Sequence, residues 1–347
     1  MKASVAMATY NGERYIEEQL ESIVNQTILP YEIVISDDGS QDQTIVVIER
    51  IIQKYQELPI IFNVLRNEKE HGIVANFENA LLNTSGDVVF ICDQDDIWFE
   101  NKIERVLNIM NAWNVNLLVH DAIVLKQVDD KFVVTDHSIM PWNKESFDGT
   151  GVKKICKQEH YADAFKQNYM PGMCMCVRKE FIKRILPISR GYLHDNWINW
   201  CAIYEDSYIA LNEKLSYYRI HKKNVCGIAE FNCKRSIWYK MKTFDEQGKK
   251  SIVHQYLWYR DTFGIAENVD MQDTVRAYEF YVNERINILQ KSKIKAIILL
   301  YKKYLEGSYK VDGKIVFIHD VWYVLRYSIK KRKEFIGKIC EYKRRSK

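Results

Sequence analysis

The chain has 347 residues, 47% of them hydrophobic and 28% charged, which is enough to bury a sizeable core and suggests one main domain plus an appendage. Its eight cysteines show no paired CxxC spacing and are too sparse for a disulfide scaffold, so reduced and mostly buried thiols are expected. The net charge of +4 hides an asymmetry: from Lys314 onward eleven Lys/Arg face Asp320, Glu334 and Glu341, so the remainder is acidic.

No run of the ~18 or more apolar residues needed to cross a bilayer occurs, because Ala296 to Tyr301 is soon interrupted by lysines. The opening residues lack a basic leader and an apolar stretch, which predicts a cytoplasmic protein.

The first half alternates short β-rich runs with helical periodicity, the pattern of a mainly parallel sheet covered by helices. Strands are predicted over Ser4 to Met7, Glu32 to Ser36, Ile60 to Leu65 and Asp87 to Cys92, the second and fourth as runs buried on both faces. Between and after them the predicted helices show apolar faces at Ile16, Leu20, Ile23 and Val24; Ile45, Ile48, Ile52 and Tyr55; Phe77, Ala80 and Leu81; and Ile103, Val106, Leu107 and Met110. Leu117 to Lys126 and Phe132 to Thr135 predict a hairpin, followed by a polar stretch from Asp136 to about Gln167 that is long enough to be functional. The pattern becomes helical and basic from about Asn232, which predicts domains of 1–230 and 231–347.

In an open parallel sheet, ligands bind outside the carboxyl ends of the strands, so the residues just after each strand are the candidates. The first strand is followed by Thr9-Tyr10-Asn11-Gly12-Glu13, either a planar-base site or a plain strand-to-helix turn. The second is followed by Asp37-Asp38-Gly39-Ser40, whose carboxylates suit ribose or a pyrimidine NH and whose composition also suits a turn with a helix cap.

After the fourth strand comes Asp93-Gln94-Asp95-Asp96. In extended chain Asp93 and Asp95 would point to one side and approach one hard divalent ion, and oxygen ligands suit Mn2+ or Mg2+. Asp96 is read as the start of the following helix. Asp195, before the run from Trp197 to Tyr204, is either a general base or a helix cap. Tyr218-Arg219-Ile220-His221-Lys222-Lys223 adds cations and an imidazole, suited to a diphosphate or to a further metal ligand. Cys174 and Cys176 are read as packing rather than as a metal pair.

Taken in order, Thr9-Tyr10-Asn11-Gly12, Asp37-Asp38-Gly39-Ser40, Arg66-Asn67 with Gly72 and Asn76, Asp93-Gln94-Asp95-Asp96-Ile97-Trp98, Pro171-Gly172, His194-Asp195 and Tyr218-Arg219-Ile220-His221 resemble family 2 glycosyltransferases. The resemblance covers about the first 225 residues, and the variant is most similar to the subgroup often labelled rhamnosyltransferases. It implies an α/β GT-A (Rossmann-like) fold, mainly parallel and flanked by helices, followed by a smaller helical C-terminal region.

By the same resemblance Ala8, Tyr10 and Asp38 would surround the donor base with Arg66 nearby. Asp93 and Asp95 would hold ribose and the metal-bound diphosphate, Arg219 the diphosphate, and His221 the metal. Asp195 would be the base. Many relatives carry Glu-Asp where this chain has His194-Asp195.

The implied reaction is inverting transfer from a UDP- or dTDP-sugar, dTDP-rhamnose among them, to a hydroxyl of a glycan or polyprenyl-linked saccharide in bacterial surface polysaccharide synthesis. A sugar-phosphate nucleotidyltransferase would need a glycine-rich loop that Thr9 to Glu13 does not supply. A catalytically silent scaffold subunit would not need every carboxylate. The basic, aromatic end, with Trp322, Tyr323, Leu325, Tyr327, Ile329, Phe335, Ile336 and Ile339, suits an anionic membrane surface at the inner face of the cell membrane as well as a solvated tail. No nucleic-acid motif accompanies it.

Overall fold

The computed structural model describes residues 1–67, 71–129, 131–140, 147–155, 170–188, 193–221, 280, 284–307 and 313–333. The chain divides into two compact units, 1–188 with 192–231, and 232–347 with 189–191.

In the first unit the elements are β1 (Ala3–Thr9), α1 (Ile16–Val24), β2 (Glu32–Asp37), α2 (Thr44–Lys54), β3 (Ile61–Arg66), α3 (Ile73–Leu82), β4 (Val88–Asp93), β5 (Ile97–Trp98) and α4 (Lys102–Ala112). Then come β6 (Leu117–Val128), β7 (Lys131–Ser138), β8 (Val152–Lys154), a 3-10 turn (Gly172–Cys174), β9 (Met175–Arg178), α5 (Lys179–Ile185), α6 (His194–Tyr204) and β10 (Tyr208–Ile220). The four early strands and four early helices fall where the sequence predicts them, and β6 and β7 form the expected antiparallel hairpin.

Strands β2 and β4 are buried on both faces, as their unbroken apolar runs require, and β1 is equally covered. Strand β3 lies at one end of the strand order and leaves Ile61 and Val64 exposed. On α1, Ile16, Leu20 and Ile23 are fully buried, each worth roughly 1.5–3 kcal/mol of burial, while Glu17 and Glu18 occupy the first turn on the N-terminal side of the helix dipole. The buried face of α2 is rotated slightly from expectation, with Ile48 and Ile51 buried and Ile45, Ile52 and Tyr55 packed at the margin.

Among the described residues the sheet runs β3-β2-β1-β4-β9-β6-β10-β5, with β7 on β6 and β8 on β10. The pairs β3–β2, β2–β1, β1–β4 and β6–β10 are parallel. Strand β9 is antiparallel to both β4 and β6, so it reverses once and leaves those two strands pointing the same way. The carboxyl ends of β1, β2, β4 and β10 therefore share one edge of the sheet, and the segment entering β9 from Pro171-Gly172 arrives at that edge too. Strands β9 and β10 are not among the sequence expectations. The apolar alternation of β10 is broken by Asn212-Glu213-Lys214, where its pairing with β6 shifts register twice.

In the second unit, residues 284–289, α7 (Lys293–Leu305) and α8 (Gly313–Arg326) are helical, consistent with the expected helical region. Their core joins Ile288, Leu289, Ala296, Leu300, Tyr323 and Val324. Tyr323 faces this core, whereas Phe335, Ile336 and Ile339 lie outside the described residues. No described helix is long and apolar enough to cross a membrane.

Candidate active site

The turn after β1 is held by side chains from its neighbours. Gln94 accepts from the Tyr10 N–H at 2.9 Å and donates to the Tyr10 carbonyl at 3.0 Å, closing a two-bond bridge between the first and fourth strand ends. The Asn11 N–H donates to Ser40 Oγ (2.9 Å), and the Gly12 N–H donates to Thr44 Oγ1 (2.7 Å). Asn76 donates to the Thr9 carbonyl at 3.1 Å. With its backbone fixed in this way, the Tyr10 ring is left 53% exposed beside Ala8, the position expected of a face for a planar base.

The two carboxylates after β2 have separate tasks. Asp37 turns inward, accepting from Thr9 Oγ1 (2.9 Å), Ser40 Oγ (2.5 Å) and the N–H groups of Gly39 and Ser40 (3.1 and 2.8 Å), which is the turn role foreseen for this motif. Asp38 instead receives Asn67 Nδ2 at 2.9 Å and the Gly72 N–H at 2.8 Å, with His71 Nδ1 at 3.0 Å from the first oxygen. Gly72 sits at φ 118°, a backbone region other residues rarely enter, and this lets its N–H reach back to Asp38. A carboxylate offers about four acceptor positions, so Asp38 keeps capacity for a ligand donor. Arg66 ends β3 with its side chain exposed, and its backbone lies in register with Asp37.

Strand β4 stops at Asp93, and Gln94-Asp95 form a turn. The extended-chain geometry expected to align Asp93 with Asp95 is therefore not what relates them. They are near enough for charge to couple: the Asp93 carboxyl is pushed up to about 8 by burial first, then by the charges of Asp95 and Asp195. That coupling also ties Asp195, on another element, to the end of β4. Asp95 Oδ2 lies 2.8 Å from His221 Nε2, and the imidazole stacks on Tyr15 with centroids 4.5 Å apart.

Asp96 is not a helix cap. Helix α4 starts at Lys102 with Asn101 at its cap, and Asp96 is 1% exposed, accepting the Arg219 N–H at 3.1 Å. Burial, then the charges of Asp95 and Asp93, hold its carboxyl well above the usual carboxylate range. The guanidinium of Arg219 reaches Glu18 at 2.7 Å and lies 5.5 Å from the ring centroids of both Tyr15 and Phe132. Its charge is already matched there.

Asp195 occupies the first turn of α6, whose cap position is Leu193, and so it is not the cap that the plain reading offered. Its Oδ1 accepts the Asn196 N–H at 2.7 Å, and the residue is largely buried. His194 beside it stacks on Phe77 with centroids 3.7 Å apart, and burial lowers its pKa, so it is neutral. Lys222, Lys223, the polar stretch at 141–146 and 156–169, and four of the eight cysteines lie outside the described residues. Cys92, Cys174, Cys176 and Cys201 are free and buried, as expected of structural thiols.

A divalent metal fits this edge in a particular way. Among the described residues no three His, Cys, Asp or Glu side chains converge as a complete metal site. Asp95 with His221, and Asp93, whose proton is retained because burial and neighbouring carboxylates disfavour its charge, form instead an oxygen-rich partial set in which a cation would take the place of that proton. Phosphate-bound Mg2+ or Mn2+ takes only one or two protein carboxylates, which matches such a set.

Sequence reasoning brought Tyr10, Asp38, Asp93, Asp95, Asp195 and His221 forward as candidates; the sheet topology brings the ends of β1, β2, β4 and β10 to one edge, and Asp195, on α6, is near enough for its charge to act on Asp93. It missed Gln94, the clamp on Tyr10, because a lone Gln between aspartates carries no pattern. It also missed the His71 and Gly72 contacts to Asp38, which come from more than thirty residues away.

Among known proteins, an uncharacterized glycosyltransferase of Nostoc sp. is 28% identical over 229 residues, spanning 65% of this chain and 66% of that protein. The dTDP-rhamnosyl transferase RfbG of Shigella flexneri is 37% identical over 134 residues, 36% of this chain and 45% of that one. The crystal structure of S. aureus TarS 1-349 in complex with UDP-GlcNAc superposes with a TM-score of 0.49 at 20% identity, over 74% of this chain and 66% of that one. The matches thus span just under two thirds, or less, of the length of these curated relatives. The sequence pattern described as Glycosyl transferase family 2 matches residues 4–186, more than half of the chain, and the protein belongs to that family.

Proposed function

We propose that this chain transfers a sugar, with inversion, from a nucleoside-diphosphate donor to a hydroxyl of a glycan or polyprenyl-linked saccharide. The observation that carries the reading is the convergence of Asp93, Asp95 and Asp195 with His221, from β4, α6 and the end of β10, on the edge where Tyr10 and Asp38 also lie. Family membership supports glycosyl transfer. The likeness to RfbG supports a dTDP-sugar such as dTDP-rhamnose among the donors to be tried.

In this reading the exposed Tyr10 ring and Ala8 receive the base. Asp38, pre-aligned by Asn67 and Gly72, accepts from it, and Arg66 is the exposed cation beside it. Asp93 and Asp95, with His221, would hold Mn2+ or Mg2+ together with donor phosphate oxygens, where the ion supplies charge stabilisation for the leaving diphosphate. Arg219 serves as a positioning residue, fixing Asp96 through its N–H and locking the end of β10 through Glu18.

Asp195 accepts the proton of the acceptor hydroxyl as that oxygen attacks the anomeric carbon. The Asn196 N–H donates to its Oδ1, which helps to orient the carboxylate at the start of α6. Positioned general-base catalysis is worth about 10²- to 10⁴-fold.

The test is nucleotide release by purified protein with a panel of UDP- and dTDP-sugars and candidate acceptors, with and without manganese. Asp195→Asn and Asp95→Ala should each abolish transfer while leaving the thermal unfolding midpoint near that of the parent. Near-normal turnover by Asp195→Asn would remove Asp195 as the base.

A further inference from the structure

Helix α7 is apolar on two opposite faces. One carries Ala296 and Leu300, both fully buried, into the second unit's core. The other carries Ile294 (76% exposed), Ile298 (62%), Tyr301 (55%) and Leu305 (67%). At 3.6 residues per turn these four fall within an arc of about 60°, a continuous stripe along the helix. Single exposed apolar residues need no explanation, but a stripe of four large ones does.

The charges beside the stripe say what covers it. Helix α7 has four lysines and no acidic residue. Lys295 and Lys302 are exposed and follow the stripe along one flank; Lys302 lies 3.9 Å from the solvent-facing Glu306, while Lys303 pairs more closely with Glu284 at 2.9 Å and Glu306 at 3.2 Å. Over residues 293–333 eleven Lys/Arg stand against three Asp/Glu, and one of those acids, Asp320, is buried against Arg285 at 2.8 Å. A second copy of the chain would bring like charges together across the stripe. An anionic bilayer would not.

At 13 residues α7 spans roughly 20 Å, too short to cross a bilayer and suited to lying in its surface plane.

We propose that α7 docks on an anionic lipid surface, with Ile294, Ile298, Tyr301 and Leu305 in the headgroup–acyl boundary and Lys295 and Lys302 among the headgroup phosphates. This adds α7 to the expected C-terminal positions, of which Phe335, Ile336 and Ile339 lie outside the described residues and Leu325 and Ile329 are exposed. There Tyr323 is 5% exposed and packs with α7, and Trp322 and Tyr327 are half-buried. Leu325 remains exposed, and its carbonyl accepts from Lys293 Nζ at 2.7 Å, which brings it to the Ile294 end of the stripe. The proposal is independent of the donor chemistry, since it concerns lipid binding alone.

The experiment is co-sedimentation of the full chain with vesicles of phosphatidylcholine alone or with phosphatidylglycerol added. The parent protein should bind the anionic vesicles and release at high salt. A variant combining Ile294→Ser, Ile298→Ser, Tyr301→Ser and Leu305→Ser should lose binding by tenfold or more, on the order expected for four interfacial side chains, with unchanged far-ultraviolet dichroism. Lys295→Gln and Lys302→Gln should each weaken binding about fivefold, the factor that corresponds to ~1 kcal/mol per charge.

Absence of parent binding, equal binding to neutral vesicles, or undiminished binding by the serine variant would each overturn the proposal. So would a dimer that the serine variant dissolves in the absence of vesicle binding, which would assign the stripe to a second copy. Nucleotide release with a soluble acceptor should be unaltered in these variants, so failure of the transfer reading and failure of this one are told apart.

Discussion

At the scale of single residues, close contacts decide which positions near the candidate site tolerate change. A Cβ on Gly172 would stand 2.5 Å from His194 Nε2 and 3.1 Å from Ile91 Cγ2, both in the buried interior. Gly172→Ala should therefore lower stability to denaturant by about 1–3 kcal/mol, the usual cost of overpacking. A Cβ on Gly12 meets the Gln94 amide, with Cδ at 2.6 Å, and moving that amide aside would break its two bonds to the Tyr10 backbone. The interior histidines set an acid limit. Both His120 and His194 are depressed below their ordinary value of 6.5, first by burial. Below that value the unfolded chain takes up protons that the folded chain refuses, so stability is full above it and falls as the pH drops. The thermal midpoint should hold level down to about pH 6.5 and decline beneath it, and His120→Asn should flatten part of that decline if the variant folds.

At the scale of elements, the joints between helices and strands rest on a few buried donors. Lys179, at the start of α5, sends its Nζ to the Leu81 carbonyl (2.7 Å) and Thr84 Oγ1 (2.9 Å) and so ties α5 to the end of α3, where the Thr84 hydroxyl also donates to the Leu81 carbonyl at 2.8 Å. Lys179→Met should remove this tie and cost about 0.5–1.5 kcal/mol in chemical denaturation, with hydrogen exchange rising at the end of α3. The elements that the sequence made legible are those with one uninterrupted signal: the apolar runs of β2 and β4, or the four-residue periodicity of α1 and α4. Strand β10 was hidden because its bulges insert Asn212-Glu213-Lys214 into the alternation, and β9 because four residues are too few to establish a period. The acidic turn shows the same division. Its carboxylates were visible as a cluster, but their separate fates were set by distant partners. Asp96 is buried under the Arg219 N–H and Asp95 is joined to His221, contacts no local spacing announces.

At the scale of the whole molecule, each of the two units carries its own core. In the second, Arg285 and Asp320 form a buried two-bond ion pair at 2.8 and 3.0 Å beside the packed α7 and α8. Removing one partner leaves a buried charge without its match, so Asp320→Ala should cost that unit about 3–5 kcal/mol. Hydrogen exchange should accelerate at 284–305 while the amides of β1, β2 and β4 keep their protection. The reversal of β9 between β4 and β6 has a further consequence for the order in which the molecule comes into being. A ribosome delivers Tyr10, Asp38 and Asp95 early, with strands that can pair as soon as they emerge. His221 follows 126 residues after Asp95, at the end of a strand that can dock only once β6 is in place. Under the proposed function, a nascent chain would own the half-sheet that carries Tyr10 and Asp38 long before Asp95 met His221, and transfer would begin only with the arrival of β10.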